Sequence, residues 1–161
     1  MISITALVLA CAPMVAPQTF YGIVAVESSF NPFAIGVVNG RLPRQPESLE
    51  EAIATAHALS EGGWNYSVGL AQINVHNLDK YNLTIEQAFE PCSNLRVGSE
   101  ILAECYSRHP ESEHDPQKAL VDSLSCYYSG NYKRGHTVES NGSSYVQRVL
   151  LQASRFPVSK R

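Results

Sequence analysis

Apolar positions recur at helical spacing through most of the chain, and their interruptions divide it into elements. Residues 3–10 are an apolar run closed by Cys11, Ala12 and Pro13, which predicts a short buried helix. A second predicted helix runs from about Pro17, a residue suited to a first turn, to Ser29. Asn31 and Pro32 end it, because the residue before a proline is driven out of the helical region. Residues 34–46 read as extended. Ile35, Gly36, Val37 and Val38 lead into Asn39 and Gly40, a hairpin-turn signal. Residues 41–46 form the return strand or a loose flap, since their prolines weaken pairing. Ser48 with Glu51 three positions on predicts a capping box, and Ala52, Ile53, Ala56 and Leu59 give the helix behind it one apolar face. Gly62 and Gly63 stop that helix. Residues 69–74 read as a tight turn into an apolar stretch. Thr84 with Gln87 caps a further helix, a long one spans about 93–108, Asp115 and Pro116 open the next, and a last helix covers about 144–154. The sum is a mainly α (α+β) fold with a small β-hairpin insertion, organised as a single domain over residues 1–156 and a tail at 157–161.

One polar residue breaks the pattern. Phe20, Ile23 and Val24 lie seven, four and three positions before Glu27, so they share its helix face. Glu27 therefore falls on the apolar stripe. A carboxyl group held against apolar walls has its charged form disfavoured and its pKa raised, which is how a carboxylic acid serves as a general acid near neutral pH. A surface glutamate at a fraying helix end is the commoner situation, and the position on the stripe argues against it.

Composition narrows the chemistry. The chain has 161 residues, 44% hydrophobic and 17% charged, with a formal charge of −3. That fits one globular domain, and the absence of a basic run argues against nucleic acid as a partner. No stretch reaches the roughly 18 apolar residues of a membrane span. No lysine or arginine precedes the apolar N-terminal run, although Val8, Leu9, Ala10 and Cys11 are similar to a lipoprotein cleavage site. The sequence therefore favours a first helix over a signal peptide. The five histidines lie at scattered positions, form no metal-binding or nucleophile motif, and read as surface residues. No metal and no cofactor is expected. Cys11, Cys92, Cys105 and Cys126 form no CxxC pair. Cys92 and Cys105 share the long predicted helix, about 20 Å apart, so two disulfides would pair Cys11 with Cys92 or with Cys105. Four buried thiols are the alternative.

What remains beside Glu27 is a set of neutral hydrogen-bonding and aromatic groups: Ser67, Gln72, Asn74, Trp64, Tyr127, Tyr128 and Tyr145. Such a set suits a neutral polyhydroxylated ligand better than a phosphate or a metal. Four segments carry a resemblance. Glu27-Ser28-Ser29-Phe30-Asn31-Pro32 resembles the catalytic glutamate motif of the lysozyme-like lytic transglycosylases, the SLT-domain family. Gly69-Leu70-Ala71-Gln72-Ile73-Asn74 resembles that family's Gly-Leu-Met-Gln-Ile motif, Cys126-Tyr127-Tyr128-Ser129-Gly130 its Ala-Tyr-Asn-x-Gly motif, and Tyr145-Val146-Gln147-Arg148-Val149 its final Tyr-Val-x-x-Val motif. They occur in the family's order, and the resemblance runs from about Cys11 to Val149. Within the family the chain most resembles the small peptidoglycan-cleaving subunit of type IV secretion systems.

The resemblance implies a lysozyme-like helical domain acting on peptidoglycan glycan strands in the periplasm of a Gram-negative bacterium, together with other secretion-system subunits. It implies that Glu27 is catalytic, that Ser67, Gln72, Asn74, Tyr127 and Tyr145 bind substrate, and that Tyr145 orients Glu27. Two departures stand out. Ala71 replaces a methionine that lines the saccharide groove, and Tyr128 replaces an asparagine, leaving Asn131 to supply an amide. Ordinary glycosidases use two carboxylates, and the motifs contain one. A single acid suffices where the muramoyl C6 hydroxyl is the nucleophile and an anhydro product forms. A lysozyme-type hydrolase and a non-catalytic glycan-binding scaffold are the competing expectations.

Overall fold

The computed structural model describes residues 2–157; the tail expected at 157–161 lies outside them except for Pro157. The elements, in order, are α1 (Ile4–Cys11), α2 (Pro17–Ser28), β1 (Ile35–Val37), α3 (Leu49–Glu61), β2 (Tyr66–Val68), β3 (Ile73–Asn74), α4 (Ile85–Phe89), α5 (Pro91–Ser107), α6 (Pro116–Ser129) and α7 (Tyr145–Ala153), with 3-10 turns at Val75–Asn77 and Arg134–His136. The mainly helical expectation with a small β insertion is met. None of the described helices is long and apolar enough to cross a membrane. The chain divides into two compact units, one of residues Met1–Val26 and Ser99–Arg161, the other of residues Glu27–Gly98.

Local signals set the helix ends. Ser3 caps α1 by accepting the Ala6 N–H. Thr84 and Gln87 form the full capping box of α4, as do Ser144 and Gln147 at α7. Asp115 accepts the Lys118 N–H ahead of Pro116. At α3 only half of the expected box forms. Ser48 accepts the Glu51 N–H, but the Glu51 carboxylate accepts from the Glu47 N–H instead of closing back on Ser48.

In the mostly helical unit, α6 packs against α7 and against the 3-10 turn that follows it, burying Ala119, Leu124, Val146 and Val149. Cys105 is disulfide-bonded to Cys126, and none of the four cysteines is free. This unit also holds a buried ionic cluster. Asp122 receives hydrogen bonds from His109 Nε2 at 2.8 Å, Lys118 Nζ at 2.7 Å and His136 Nε2 at 2.9 Å. His109 Nδ1 accepts the Glu111 N–H, so the proton on its ring sits on Nε2. His109 is therefore buried, not a surface histidine as the sequence suggests. Burial works against the Asp122 charge, but the bonds from Lys118, His109 and His136 outweigh it and hold its carboxyl below the ordinary value.

In the other unit β1, β2 and β3 form one antiparallel sheet in that order. Of the two expectations for residues 41–46, the return strand does not form and the flap does. β1 pairs instead with β2, with Gly36 opposite Ser67, and β2 pairs with β3, with Ser67 opposite Asn74. The segment 41–46 is a flap held by one side chain. Gln45 Oε1 accepts the Ile35 N–H at 2.8 Å and Gln45 Nε2 donates to the Ile35 carbonyl at 3.0 Å, replacing the strand that the prolines prevent.

Candidate active site

Strand register sorts the side chains of the small sheet. Directly opposed residues share a face. Ile35, Val68 and Ile73 form a buried apolar row. Gly36, Ser67 and Asn74 form the opposite row, with Ser67 and Asn74 half-buried and Gly36 exposed. This second row is neutral and polar, and it belongs to the same unit as Glu27.

Glu27 lies in the last turn of α2 and is half-buried, behind the fully buried Phe20, Ile23 and Val24. The helix stops abruptly after it. Ser29 and Phe30 both adopt left-handed backbone, with φ of 51° and 64°, a conformation that costs a non-glycine residue about 1–2 kcal/mol. Asn31 then folds the chain toward β1, its Oδ1 accepting the Phe33 N–H at 2.9 Å.

The loop from Gly69 to Gln72 is tied down by amides. Asn94 of α5 is fully buried. Its Oδ1 accepts the Ala71 N–H at 2.7 Å, and its Nδ2 donates to the Val68 carbonyl at 2.9 Å and the Ala88 carbonyl at 2.8 Å. Gly69, at φ of +80°, leaves room for it, since a Cβ there would collide with Asn94 Nδ2. Ala71 is buried, held by its N–H on Asn94. Gln72, at φ of 54°, donates both Nε2 hydrogens, to the Ala34 and Gly69 carbonyls at 3.0 Å each. Its Oε1 occupies the space a side chain on Gly36 would need, 2.8 Å from an ideal Cβ. Only that oxygen is left to accept from a ligand.

Asn74 Nδ2 donates to Asn65 Oδ1 at 2.8 Å and Ser67 Oγ at 3.2 Å, and its Oδ1 accepts the His76 N–H. Ser67 therefore accepts from Asn74 and retains its own hydroxyl proton for donation. The amide row thus orients Ser67, while Gln72 and Asn74 serve the loop at least as much as the open face.

Tyr127 and Tyr145 lie in the other unit. Tyr145 is buried and Tyr127 half-buried. Tyr128 stacks on Tyr145 with ring centroids 4.3 Å apart, and its hydroxyl donates to Glu139 Oε2 at 3.2 Å. The Arg148 guanidinium on the same carboxylate, with help from Tyr128, holds Glu139 below its ordinary pKa. Asn131 braces the approach to the 3-10 turn, its Oδ1 accepting the Lys133 and Arg134 N–H groups.

Of the three acids that follow the second motif, Asp79 is exposed, and Glu86 and Glu90 are engaged elsewhere. Glu86 is hydrogen-bonded to His57 at 2.7 Å, which lowers its pKa. Glu90 accepts the Cys92 and Ser93 N–H groups at the start of α5. Among the described residues no group of three or more His, Cys, Asp or Glu side chains could hold a metal ion. Asn94 and Gln45 were not singled out in the sequence. Asn94 had a signal available, since it lies on the apolar stripe of Val97, Ile101, Leu102 and Cys105, as Glu27 does on its own.

Comparison with known proteins places the chain among relatives. The chain is 54% identical over 144 residues to the type IV secretion system protein virB1 of Brucella abortus biovar 1 (strain 9-941), covering 89% of this chain and 60% of the relative. It is 32% identical over 145 residues to the protein virB1 of Agrobacterium fabrum (strain C58 / ATCC 33970), covering 90% and 57%. It is 33% identical over 144 residues to that of Rhizobium radiobacter, covering 89% and 57%. The chain thus spans a little under two thirds of the length of these relatives. No solved structure gives a significant match. Residues 5–147 match the Transglycosylase SLT domain, and the chain belongs to that family.

Proposed function

We propose that this chain is a lytic transglycosylase that cuts the bond between N-acetylmuramic acid and N-acetylglucosamine and leaves a 1,6-anhydromuramoyl end. The observation that carries the reading is the neutral polar row of Gly36, Ser67 and Asn74 in the same unit as a half-buried Glu27. Uncharged donors and acceptors suit hydroxyl and acetamido groups. Glu27 first protonates the glycosidic oxygen. Its carboxylate then takes the proton of the C6 hydroxyl as that oxygen attacks C1, so no water is consumed. Of the acids beyond the second motif, Glu86 and Glu90 are bonded to other groups and Asp79 lies exposed to solvent, which supports a one-acid mechanism over a two-carboxylate hydrolase. Ser67, with its free hydroxyl proton, is the donor to substrate, and Gln72 and Asn74 accept. The likeness to the Brucella relative supports a periplasmic role in opening the cell wall for a type IV secretion system and contact with its other subunits.

Glu27→Gln keeps size and polarity and removes the ionisable proton. It should lower cleavage of peptidoglycan by about 10³-fold, the scale of a lost general acid, with an unchanged circular dichroism spectrum. Mass spectrometry of the wild-type digest should show ends lighter by one water than reducing ends. Near-normal turnover by the variant, or reducing ends throughout, would overturn the mechanism.

A further inference from the structure

The outer edge of β1 carries a recess that the cleavage chemistry does not use. The Ala34 carbonyl accepts from Gly69 and the Val38 N–H donates to Asn65, so alternate residues of this strand face β2. The backbone N–H and C=O groups of Ile35 and Val37 therefore point away from β2. Ile35 is satisfied on that side by the Gln45 amide. The Val37 N–H, next along, meets no acceptor among the described residues. Val37 opens on a recess of about 410 Å³ between β1 and the flap, lined also by Gly36, Gly40, Arg41, Leu42 and Pro43. Arg44, at the far side, is engaged by Glu51 at 2.7 Å. Arg41 is exposed and makes no ion pair or hydrogen bond among the described residues.

Two features define an occupant. The recess offers an outward N–H and an uncommitted guanidinium, both donors, so it calls for acceptors and a negative charge. It is also short. The Gln45 side chain closes the edge at Ile35, and the turn at Asn39 and Gly40 closes it beyond Val38, so a single strand position is open. A protein strand docking by edge addition needs several. The volume suits a ligand of two or three amino acids.

We infer that this recess binds the carboxylate-bearing peptide stem attached to the muramoyl residues of peptidoglycan, with the Val37 N–H bonding a peptide carbonyl and Arg41 pairing with a carboxylate. The inference rests on peptidoglycan being the substrate, and gives the enzyme a means to prefer strands that keep their stems.

The test is an amide NMR titration of the isotopically labelled chain with L-alanyl-γ-D-glutamyl-meso-diaminopimelate. Saturable shifts centred on Val37, Gly40 and Arg41 are expected. Arg41→Ala, at an exposed residue with no partner to lose, should weaken binding at least 10-fold, and Glu27→Gln should leave it unchanged. No shift at these amides, equal binding by Arg41→Ala, or equal binding of an uncharged peptide of the same length overturns the proposal. If wild-type cleavage is intact while the peptide response is absent, only this inference falls. If cleavage is absent while the peptide binds, the enzymatic reading falls instead.

Discussion

The two units each bury a polar hub, and the hubs are chemically opposite. In the mostly helical unit the hub is a carboxylate, Asp122, surrounded by His109, Lys118 and His136, with the Cys105–Cys126 bridge in the same unit. In the sheet-bearing unit it is a neutral amide, Asn94, which satisfies one N–H and two carbonyls of the backbone. A charged hub must offset its own desolvation and depends on protonation state. A neutral amide costs less to bury and does not titrate. The loop that bears Gln72 and precedes Asn74 is thus held by an amide that does not titrate, whereas the hub of the helical unit is a carboxylate that does.

This contrast can be broken most severely at Asn94. Asn94→Ala orphans the Ala71 N–H and the Val68 and Ala88 carbonyls, and should cost about 4 kcal/mol at 1–3 kcal/mol per stranded group. Amide hydrogen exchange should accelerate across Glu27–Gly98 well before the other unit responds. Exchange rising equally in both units would remove the distinction. Next in size is the disulfide. The Cys105→Ser/Cys126→Ser pair opens a loop of sequence separation 21, worth about 3 kcal/mol by loop entropy. Denaturant unfolding should register it, and exchange should localise it to the helical unit.

The smallest change is at Asp122. Because its carboxyl is held below the ordinary value when folded, it stabilises the fold above the unfolded pKa of about 3.9. That contribution disappears as pH falls through the lower folded value. Asp122→Asn should cost about 2 kcal/mol at neutral pH, the scale of hydrogen bonds to a charged group. It should also flatten the loss of stability below about pH 4 relative to the parent. Glu90, held low when folded by the Ser93 and Cys92 N–H groups against its partial burial, leaves a residual slope together with Glu86 and Glu139, which are also held low. An unchanged acid limb would remove Asp122 as its source.

What could be read from the chain was local. Thr84 with Gln87 and Asp115 with Pro116 act within one helical turn, and the structure places those caps where the residues predict them. Glu27 was legible because its stripe partners lie within two turns. The sheet was not. Asn39 and Gly40 promise a hairpin with the next segment, but Pro43 and Pro46 spoil that strand, and β1 pairs across α3 with β2. The row of Gly36, Ser67 and Asn74 exists only through that register, which no local pattern encodes. His109 was misread for the same reason. Its partner Asp122 lies thirteen positions away on α6, and without that partner a buried imidazole has no reason to be expected.

The Gln45 clasp on Ile35 has a consequence for how this region can vary. A backbone strand would fix the number of residues between β1 and its neighbour, because every inserted residue shifts the register. A single side-chain amide imposes no such count. The span between Val37 and Gln45 can gain or lose residues while the sheet and its polar row stay in place, at about 0.6 kcal/mol for each doubling of length. Insertions and deletions there would resize the recess beside β1 without touching Glu27, so that the proposed peptide preference can change separately from the proposed cleavage.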